Sequence, residues 1–313
     1  MDSQGILNYL SLLNMDSHYS AIKVNCEICH SDKKLPLLQS VEGPVGAMVD
    51  LSVVGCQDCG HIYQECCFSP DFYQHYYDKF YRLNLFGDSE PDKAFFIDQI
   101  KRGDALFKSL ASWLPETGRL LDVGCSAGGL MIPFAKRGWQ VAGNDPDGVY
   151  ADYGRRIGLD ILTIGAEAMP TDNQAELIII NGSLEHVYDV NAVMNRCRQI
   201  AASNGLLLIE GRALGYGLQQ GHLTHNHRRF LSAHSIEQLM LRHDWQPVMT
   251  TSTPLCGPTR PGAIFVLGRA GVKDKKALSA AQKNGQQWLQ VELLPQFVNM
   301  RGRHERVCRV QHA

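Results

Sequence analysis

The sequence predicts an α/β fold organised around a doubly wound, mostly parallel sheet of seven strands. Short apolar runs alternate with amphipathic segments of helical length between residues 119 and 267, which is typical of parallel strands joined by crossover helices. Within this region, residues 119–129 form an apolar run that ends in an acid and is followed by small residues. A buried parallel strand that turns tightly into a helix has this pattern, and such turns bring backbone amides close to a bound ligand.

The same patterning places the individual elements. Short apolar runs indicate strands, whereas apolar residues repeated along one face indicate helices. Strands are expected at 49–54, 119–122, 138–143, 161–164, 176–180, 206–210 and 263–267. Helices are expected around 6–13, from residue 69 onward, at 95–113, 130–136, 193–200, 235–243 and 287–297, and in a segment that ends near residue 157.

Composition excludes several classes of protein. The chain has 313 residues, of which 44% are hydrophobic, and a formal net charge of −2. It can therefore bury a substantial core, and it has no global field that would attract nucleic acid. Residues 1–4 lack the basic start of a signal peptide, and no apolar run approaches the roughly 20 residues that cross a bilayer. We expect a cytoplasmic protein without membrane insertion and without a nucleic-acid partner; the oligomeric state is not specified.

Four of the ten cysteines form two Cys-x-x-Cys pairs, Cys26 with Cys29 and Cys56 with Cys59. This spacing lets both thiolates of one turn bind one ion, and two such turns make the closed tetrahedral site of a structural zinc ribbon. The 26 residues between the pairs exceed the usual spacing, but a hairpin can fill them. Buried reduced cysteines and a redox pair are the alternatives, and the second is disfavoured because neither pair opens a βαβ unit.

These patterns divide the chain into three regions. We expect a small zinc-ribbon-like region at 1–86, the α/β domain at 87–268 and a basic, partly helical tail at 269–313. The tail carries nine basic and three acidic residues, so it could bind RNA or a membrane surface, but a solvated helix packed on the core is the favoured interpretation. An aromatic stripe at 72–80 is interpreted as packing between domains, with substrate stacking as the alternative.

The glycine turn itself indicates the class of ligand. It runs Asp122-x-Gly124-x-Ser126-x-Gly128, whereas a dinucleotide site has Gly-x-Gly-x-x-Gly. A carboxylate beside two phosphates is repulsive, so an acid at the mouth of the turn suits a ligand with a cationic amino group. The next strand leads to Asp145, where such a sheet places an acid beside the ligand.

This stretch resembles the first motif of class I S-adenosylmethionine-dependent methyltransferases, acid-x-Gly-x-Gly-x-Gly, and the resemblance extends over about 115–268. Residues 141–145, 165–170, 181–187 and 227–232 resemble the family's ribose-binding strand, its adenine loop, its Leu-Glu-His-Val segment and its His-Leu-Arg-Phe-Phe-Ser-like segment. The resemblance implies a Rossmann-like sheet and S-adenosylmethionine as the cofactor. The implied cofactor-binding residues are Asp122, Gly124, Cys125, Ser126, Gly128, Asp145, Pro146, Ala166, Glu167 and Ser183.

Two positions depart from the family pattern. Ser126 replaces the central glycine, which the turn tolerates if φ is negative there, and Glu176 stands where the fourth strand often begins with Asp. Neither change removes a group that cofactor binding needs.

The N-terminal region is similar to the zinc-binding region that precedes many bacterial small-molecule methyltransferases, of which deoxysugar C-methyltransferases are the best known. The shared features are the double Cys-x-x-Cys and a Pro-led, Tyr-rich helix. Those enzymes carry a further C-terminal domain, which we expect this chain to lack because its tail is too short.

The resemblance implies in-line methyl transfer from a sulfonium, which needs alignment and, for an oxygen or carbon acceptor, removal of a proton. Histidine suits that task because its ordinary pKa is near neutrality. The candidate bases are His186, which follows the fourth strand, and His222, His225 and His227. In an extended segment His225 and His227 would share one face. Metal binding, substrate contact and plain loop structure are all open for this histidine cluster, and alignment without a base is open for the mechanism.

The expected function is therefore methyl transfer (EC 2.1.1.-) to a small-molecule or sugar-type acceptor, with structural Zn²⁺ in the N-terminal region. An RNA methyltransferase with a zinc recognition module is the first alternative, which the net charge disfavours. A non-catalytic methyltransferase-like scaffold is the second, which the presence of Asp122 and Asp145 disfavours. The sequence names neither the acceptor nor the atom that is methylated.

Overall fold

The computed structural model describes residues 3–15, 18–81, 90–211, 214 and 223–298. Three of the predictions above fall outside these residues: the boundary at 86/87, the role of His222 and the structure of the tail beyond residue 298. Across the described part of the chain, none of the helices combines the length and the apolar character that a membrane crossing requires.

The described residues form helices α1–α8 and strands β1–β15. The helices are α1 (Ser3–Leu12), α2 (Pro70–Lys79), α3 (Lys93–Leu110), α4 (Ile132–Ala135), α5 (Gly148–Arg156), α6 (Val190–Ile200), α7 (Ala233–Arg242) and α8 (Lys275–Trp288). The strands are β1 (Ala21–Lys23), β2 (Lys34–Leu38), β3 (Val41–Glu42), β4 (Met48–Val49), β5 (Val53–Cys56), β6 (Ile62–Gln64), β7 (Cys66–Phe68), β8 (Arg119–Val123), β9 (Gln140–Asn144), β10 (Asp160–Leu162), β11 (Ala175–Asn181), β12 (Ala201–Gly211), β13 (Arg229–Phe230), β14 (Trp245–Thr251) and β15 (Ile264–Ala270).

The central sheet has seven strands in the order β10-β9-β8-β11-β12-β15-β14. The first five are parallel, and β15 and β14 are antiparallel to their neighbours. The predicted seven-stranded, mostly parallel sheet is confirmed. Its middle strand β11 is apolar and fully buried from Leu177 to Ile180, because helices cover both faces of such a sheet. The carboxyl ends of β8, β9 and β11 therefore meet at one edge.

A second sheet carries the cysteine region and has the order β13-β6-β5-β2. Its outer strand β13 comes from the chain after the fifth parallel strand, with Arg229 opposite Tyr63 and Phe230 opposite Ile62. The segment 227–232, which resembles a methyltransferase motif, thus completes the sheet of the N-terminal region. The two regions share a hydrogen-bonded sheet, a relationship that the sequence does not reveal.

The aromatic face of α2 is mainly buried. Phe72 and Tyr76 are each 2% exposed and belong to an apolar cluster that also contains Tyr9, Phe68 and Phe230. Since Phe230 lies far along the chain, this cluster links the N-terminal region to the rest of the molecule. Packing between regions, the favoured interpretation of the stripe, is confirmed for these rings.

The described part of the tail packs against the cysteine region. Helix α8 begins at Lys275, twelve residues before the predicted start at 287. It continues through a π-helical turn, Leu289–Leu293, to residue 298. A Cβ on Gly60 would lie 2.0 Å from the Gly285 carbonyl oxygen, and one on Gly285 would lie 2.3 Å from the Cys59 carbonyl oxygen. The helix therefore approaches the second cysteine turn at a distance that only glycine permits. A helix packed on the core, the favoured interpretation of the tail, holds up to residue 298.

Candidate functional site

The loop after β8 is a compact turn of backbone amides. Gly124 and Gly128 have positive φ angles of 73° and 76°. The N–H groups of Gly124 and Cys125 both donate to the carbonyl oxygen of Asn144 at the end of β9, over 2.9 and 3.0 Å. The turn thus lies at the carboxyl ends of two neighbouring parallel strands, where sheets of this kind bind ligands.

Ser126 adopts a left-handed conformation, with φ of 56°. The condition under which the turn was expected to tolerate serine, a negative φ, is therefore not met. An L-residue in this region costs about 1–2 kcal/mol. The N–H of Ser126 donates to the Asp145 carboxylate at 2.7 Å, and a charge-assisted bond of this kind offsets the cost.

The loop after β11 packs directly on the glycine turn. A Cβ on Gly124 would lie 2.5 Å from Ser183 Cβ and 2.7 Å from Ser183 Oγ. Ser183 Oγ also donates to the carbonyl oxygen of Val123 at 2.7 Å. Gly124 is therefore required both by its conformation and by the close approach of Ser183, and the predicted residues after β8 and β11 come together.

Two buried acids flank the turn. Asp122, at the end of β8, is 2% exposed, and Asp145 is 7% exposed. Burial and the neighbouring Asp145 carboxylate raise the pKa of Asp122 to about 7, while the Arg102 guanidinium offsets part of the effect. The two carboxylates concentrate negative charge beside the turn, which favours a ligand that brings positive charge.

The carboxylate of Asp145 is held by backbone donors. Oδ2 accepts from Ser126, and Oδ1 accepts from the N–H of Asp147 at 2.9 Å. Pro146 follows at an exposed position. Asp145 is thereby oriented at the end of β9 before any ligand arrives.

Three other predicted cofactor residues use their side chains within the protein. The sulfur of Cys125 packs on Gly143, where an added Cβ would lie 2.7 Å from it, and burial raises the pKa of this thiol well above its usual value. Ala166 is 7% exposed. Glu167 Oε1 accepts from the N–H groups of Tyr188 and Asp189 at 2.8 and 3.0 Å, so its carboxylate stabilises the backbone just before α6.

His186 and His227 lie together. Their ring centroids are 4.8 Å apart, and His186 Nδ1 lies 3.0 Å from Tyr77 Oη and 3.1 Å from the carbonyl oxygen of Asn226. Tyr81 also meets the ring of His186 edge-on at 5.6 Å. The backbone N–H of His186 donates to the carbonyl oxygen of Ser183 at 3.1 Å. His186 is therefore linked to the glycine turn through Ser183, which packs on Gly124.

His225 lies apart from this pair. Its Nδ1 is 2.9 Å from Tyr9 Oη, and its ring meets Tyr9 and Tyr76 edge-on. Burial lowers the pKa of His225 to about 4. An extended segment, the condition for His225 and His227 to share one face, is not present, because the His227 N–H donates to the Thr224 carbonyl oxygen in a turn.

The four predicted cysteine ligands converge. All four sulfurs lie within 4.8 Å of one another, and no other group of three or more His, Cys, Asp or Glu side chains converges in this way within the described residues. The sulfur of Cys26 lies 3.5 Å from that of Cys59, and Cys29 Sγ lies 3.3 Å from Cys56 Sγ. Four sulfurs about 2.3 Å from a tetrahedral ion lie about 3.8 Å apart, so this donor set fits a metal ion such as Zn²⁺.

The two cysteine turns have the same backbone form. The N–H of His30 donates to the Cys26 carbonyl oxygen, and the N–H of Gly60 donates to that of Cys56, both at 2.8 Å. His30 and Gly60 each follow the second cysteine of a pair and have φ angles of 65° and 77°. Each pair therefore presents its two thiols from an equivalent turn.

One polar network around the cysteines was missed by sequence reasoning. Glu27, inside the first Cys-x-x-Cys, forms a bidentate ion pair with Arg229, whose side chain is 0% exposed. His61 Nε2 also lies 3.2 Å from Glu27 Oε1. Burial alone would raise the pKa of Glu27, but Arg229 and His61 hold it well below its usual value. The one available signal was an acid between two cysteines, which is commonly a solvated charge.

The comparisons with known proteins concern the central part of the chain. The family model described as a methyltransferase domain matches residues 96–250. Two curated relatives are the ubiquinone biosynthesis O-methyltransferases of Rhodopseudomonas palustris (strain BisA53) and of Bradyrhizobium sp. (strain ORS 278), which are 34% and 32% identical over 98 residues. The matched segment covers 29% of this chain and 38% of each relative, so the chain matches well under two thirds of their length.

Among solved structures, the chain is similar to magnesium protoporphyrin IX methyltransferase from Synechocystis PCC 6803 with bound S-adenosylhomocysteine. The TM-score is 0.49 at 16% identity, covering 65% of this chain and 100% of that chain. The family match spans α3 to β14 and contains the glycine turn, both buried acids and the loop after β11. Over residues 96–250 the chain is therefore similar to the methyltransferase domain family.

Proposed function

We propose that this protein transfers the methyl group of S-adenosylmethionine to a small-molecule or sugar-type acceptor. The observation that carries the proposal is the pair of buried acids, Asp122 and Asp145, on either side of the left-handed glycine turn. S-adenosylmethionine brings both a sulfonium and an ammonium charge, which this concentration of carboxylate stabilises. Pyrophosphate ligands would be repelled by the same charges.

The proposed contacts follow the geometry of the strand ends. Asp122 and the backbone of Gly124 bind the amino acid end of the cofactor, and Asp145 accepts hydrogen bonds from the ribose hydroxyls. Ala166 and Glu167 border the adenine. The turn residues Cys125, Ser126, Gly128 and Pro146 contribute backbone around the cofactor, and Ser183 closes the turn from the side of β11.

A proton acceptor is proposed at the pair His186 and His227. The tautomer of His186 that donates Nδ1–H to Asn226 keeps its basic lone pair on Nε2. Methyl transfer to a hydroxyl or carbon acceptor releases one proton, which that nitrogen can take up as the new bond forms and the sulfonium bond breaks. His225 is retained as a third candidate, although Tyr9 holds it in the apolar cluster.

Two likenesses guide the choice of acceptor. The curated relatives are O-methyltransferases by name, which supports a hydroxyl oxygen as the methylated atom, and the cysteine region resembles that of deoxysugar enzymes, which supports a sugar-type acceptor. Candidate acceptors to test first are therefore hydroxylated small molecules and nucleotide-linked sugars. A cytoplasmic location and the division into 1–86, 87–268 and 269–313 stay predictions.

We further propose a structural Zn²⁺ at Cys26, Cys29, Cys56 and Cys59. Four thiolates leave no open coordination position, so the ion would crosslink the two turns and take no part in the chemistry. Elemental analysis of the purified chain should find one zinc per chain, and Cys56→Ser should lose it. The control Cys197→Ser changes a buried thiol of α6 that is not one of the four converging sulfurs, and it should keep the metal. A metal-free wild-type chain would contradict this part of the proposal.

Isothermal calorimetry with S-adenosylmethionine tests the central proposal. Wild-type protein should bind the cofactor, and Asp145→Ala should weaken binding about tenfold to a hundredfold, since hydrogen bonds to a charged group contribute about 1.5–3 kcal/mol. Asp152→Ala, an exposed acid on α5, is the matched control and should change nothing. Absence of binding by the wild type would leave the scaffold alternative standing. Binding of RNA that weakens steeply with salt would instead favour the RNA methyltransferase.

A further inference from the structure

Arg229 joins the cysteine region to the loop that follows β11. Its Nε and Nη2 donate to the two carboxylate oxygens of Glu27, the second at 2.9 Å. Nη1 donates to the carbonyl oxygens of Leu184 and Val187 at 2.6 and 2.8 Å. A planar guanidinium that makes a bidentate pair and two further bonds is held in one orientation, so this buried side chain links the two segments rigidly.

Glu27 is held from several sides. His61 Nε2 lies 3.2 Å from its carboxylate, and His61 Nδ1 lies 3.0 Å from Ser235 Oγ on α7. Asn191 on α6 donates from Nδ2 to the Glu27 carbonyl oxygen at 2.9 Å. Glu27 therefore attaches the first cysteine turn to β13 through Arg229, to α6 through Asn191 and to α7 through His61. A displacement of this turn would disturb the contacts with all three elements.

The loop after β11 transmits this attachment to the cofactor side. Leu184 and Val187, which Arg229 holds, flank His186, and Ser183 packs on Gly124 as described above. The contacts run without a gap from the cysteine turn through Glu27 and Arg229 to the loop, and from Ser183 to the glycine turn. One end of this series of contacts lies at the proposed zinc site, and the other lies at the proposed S-adenosylmethionine site.

We propose that Arg229 is a positioning residue that couples the four-cysteine site to the cofactor pocket by holding the segment 183–187 against the glycine turn. This inference rests on the proposed function, since it presumes that the pocket binds S-adenosylmethionine and the cysteines bind metal. Coupling of this kind is reciprocal: occupation of the pocket strengthens retention of the metal, and a bound metal strengthens cofactor binding. Contiguous contacts alone do not establish coupling, so the experiment measures it from both sides.

The experiment uses full-length, metal-containing protein and S-adenosylhomocysteine as the probe. The variants are Glu27→Gln, which keeps the shape of the side chain without its charge, and Arg229→Lys, which keeps the charge without the planar guanidinium that binds in a bidentate way. Asp58→Asn is the matched control, because Asp58 also lies inside a Cys-x-x-Cys pair, and its carboxylate accepts hydrogen bonds from Ser31 and Lys33 rather than from Arg229. The two readouts are the dissociation constant from calorimetry and the rate of metal release to a coloured chelator, with and without the probe.

We expect both variants to bind S-adenosylhomocysteine about tenfold more weakly than wild type, and the control to stay within twofold. Saturating probe should slow metal release about fivefold or more in wild type and control, and leave it unchanged in Glu27→Gln. Should Arg229→Lys fail to fold, Glu27→Gln decides the outcome alone. Equal affinities and equal release ratios in wild type and Glu27→Gln would overturn the coupling while leaving the proposed function intact. A wild type that binds no probe would overturn the proposed function itself.

Discussion

The backbone N–H of Ser126 donates a 2.7 Å hydrogen bond to the carboxylate of Asp145, which joins the glycine turn after β8 to the acid after β9. Ser126 has a φ of 56°, so the residue that donates this bond lies in the left-handed part of the turn. The strand ends around the glycine turn are therefore organised by the protein's own contacts. Such preorganisation lowers the ordering cost of binding.

Ser126→Gly should be tolerated, whereas Ser126→Val should not. Glycine keeps the N–H donor and adopts the left-handed conformation without penalty, so we expect stability within about 1 kcal/mol of wild type and unchanged affinity for S-adenosylmethionine. A β-branched residue is a severe outlier at this φ and should cost about 1–3 kcal/mol. Thermal unfolding and calorimetry check both variants. Equal stability of the glycine and valine variants would show that the turn does not hold this conformation in solution.

Asp122→Asn should stabilise the ligand-free protein in a pH-dependent way. Burial and Asp145 raise the pKa of Asp122 to about 7, so the folded protein retains a proton that the unfolded chain loses near pH 4. The associated stability is present at low pH and is lost as the pH rises toward 7. From pH 5 to pH 8 the advantage of the variant should grow by roughly 2–3 kcal/mol.

Urea unfolding of wild type and Asp122→Asn at pH 5 and pH 8 measures this difference. Affinity for S-adenosylmethionine should show the opposite ranking, because in the proposed complex the ionised Asp122 attracts the ammonium group of the cofactor. Wild type should bind more tightly at pH 8 than at pH 6, and the variant should show no such change. A stability difference that is constant with pH would mean that Asp122 is ionised throughout.

His225→Gln should remove part of the acid sensitivity of the fold. Burial lowers the pKa of His225 to about 4, so its contribution to stability is present above about pH 6.5 and is lost as the pH falls toward 4. Between pH 6.5 and pH 4.5 the wild type should lose roughly 2–3 kcal/mol more than the variant. Glutamine can keep the bond to Tyr9. The exposed His18→Gln is the control, and an identical loss in all three proteins would contradict the burial of His225.

Gly285→Ala should weaken the attachment of the tail helix. Alanine favours helix by about 1 kcal/mol over glycine, yet its Cβ would lie 2.3 Å from the Cys59 carbonyl oxygen, and relieving such an overlap costs about 1–3 kcal/mol. We expect a lower unfolding temperature and faster metal release to a chelator. Ser279→Ala, at an exposed position of the same helix, should be neutral or slightly stabilising. A stabilised Gly285→Ala would mean that α8 does not pack on the cysteine turn.

Much of the central sheet could be predicted, because β8 and β11 are continuous apolar runs and a buried parallel strand needs no other signal. Strand β14, Trp245–Thr251, was missed because it lies at the sheet edge, where most of its residues are only partly buried and Pro247 interrupts the run. The first half of α8 was missed for a similar reason, since it is largely polar. Elements with one solvent-exposed face have a weak hydropathy pattern in the sequence.

In the candidate site, too, some features could be predicted from the sequence and others could not. Asp122, Asp145, Ser183 and the cysteine pairs lie where the motif spacing predicts. The left-handed Ser126 could not be foreseen, because a serine normally avoids that conformation and only its bond to Asp145 explains it. The separation of His225 from His227 was equally hidden, since a single turn at residues 224–227 decides which side of the loop each ring faces.

The sequence by itself determined the class of fold, the glycine turn with its two acids and the two cysteine turns, because each depends on residues that are close together in the chain. Tertiary structure alone decided that β13 completes the sheet of the cysteine region, that Gly285 rests on Gly60 and that Arg229 bridges Glu27 to the loop after β11. The contacts of Arg229 with Tyr63 and Glu27 and of Gly285 with Gly60 each join residues that are more than one hundred and fifty positions apart. Contact between such distant residues depends on how whole elements pack, which local patterning does not encode.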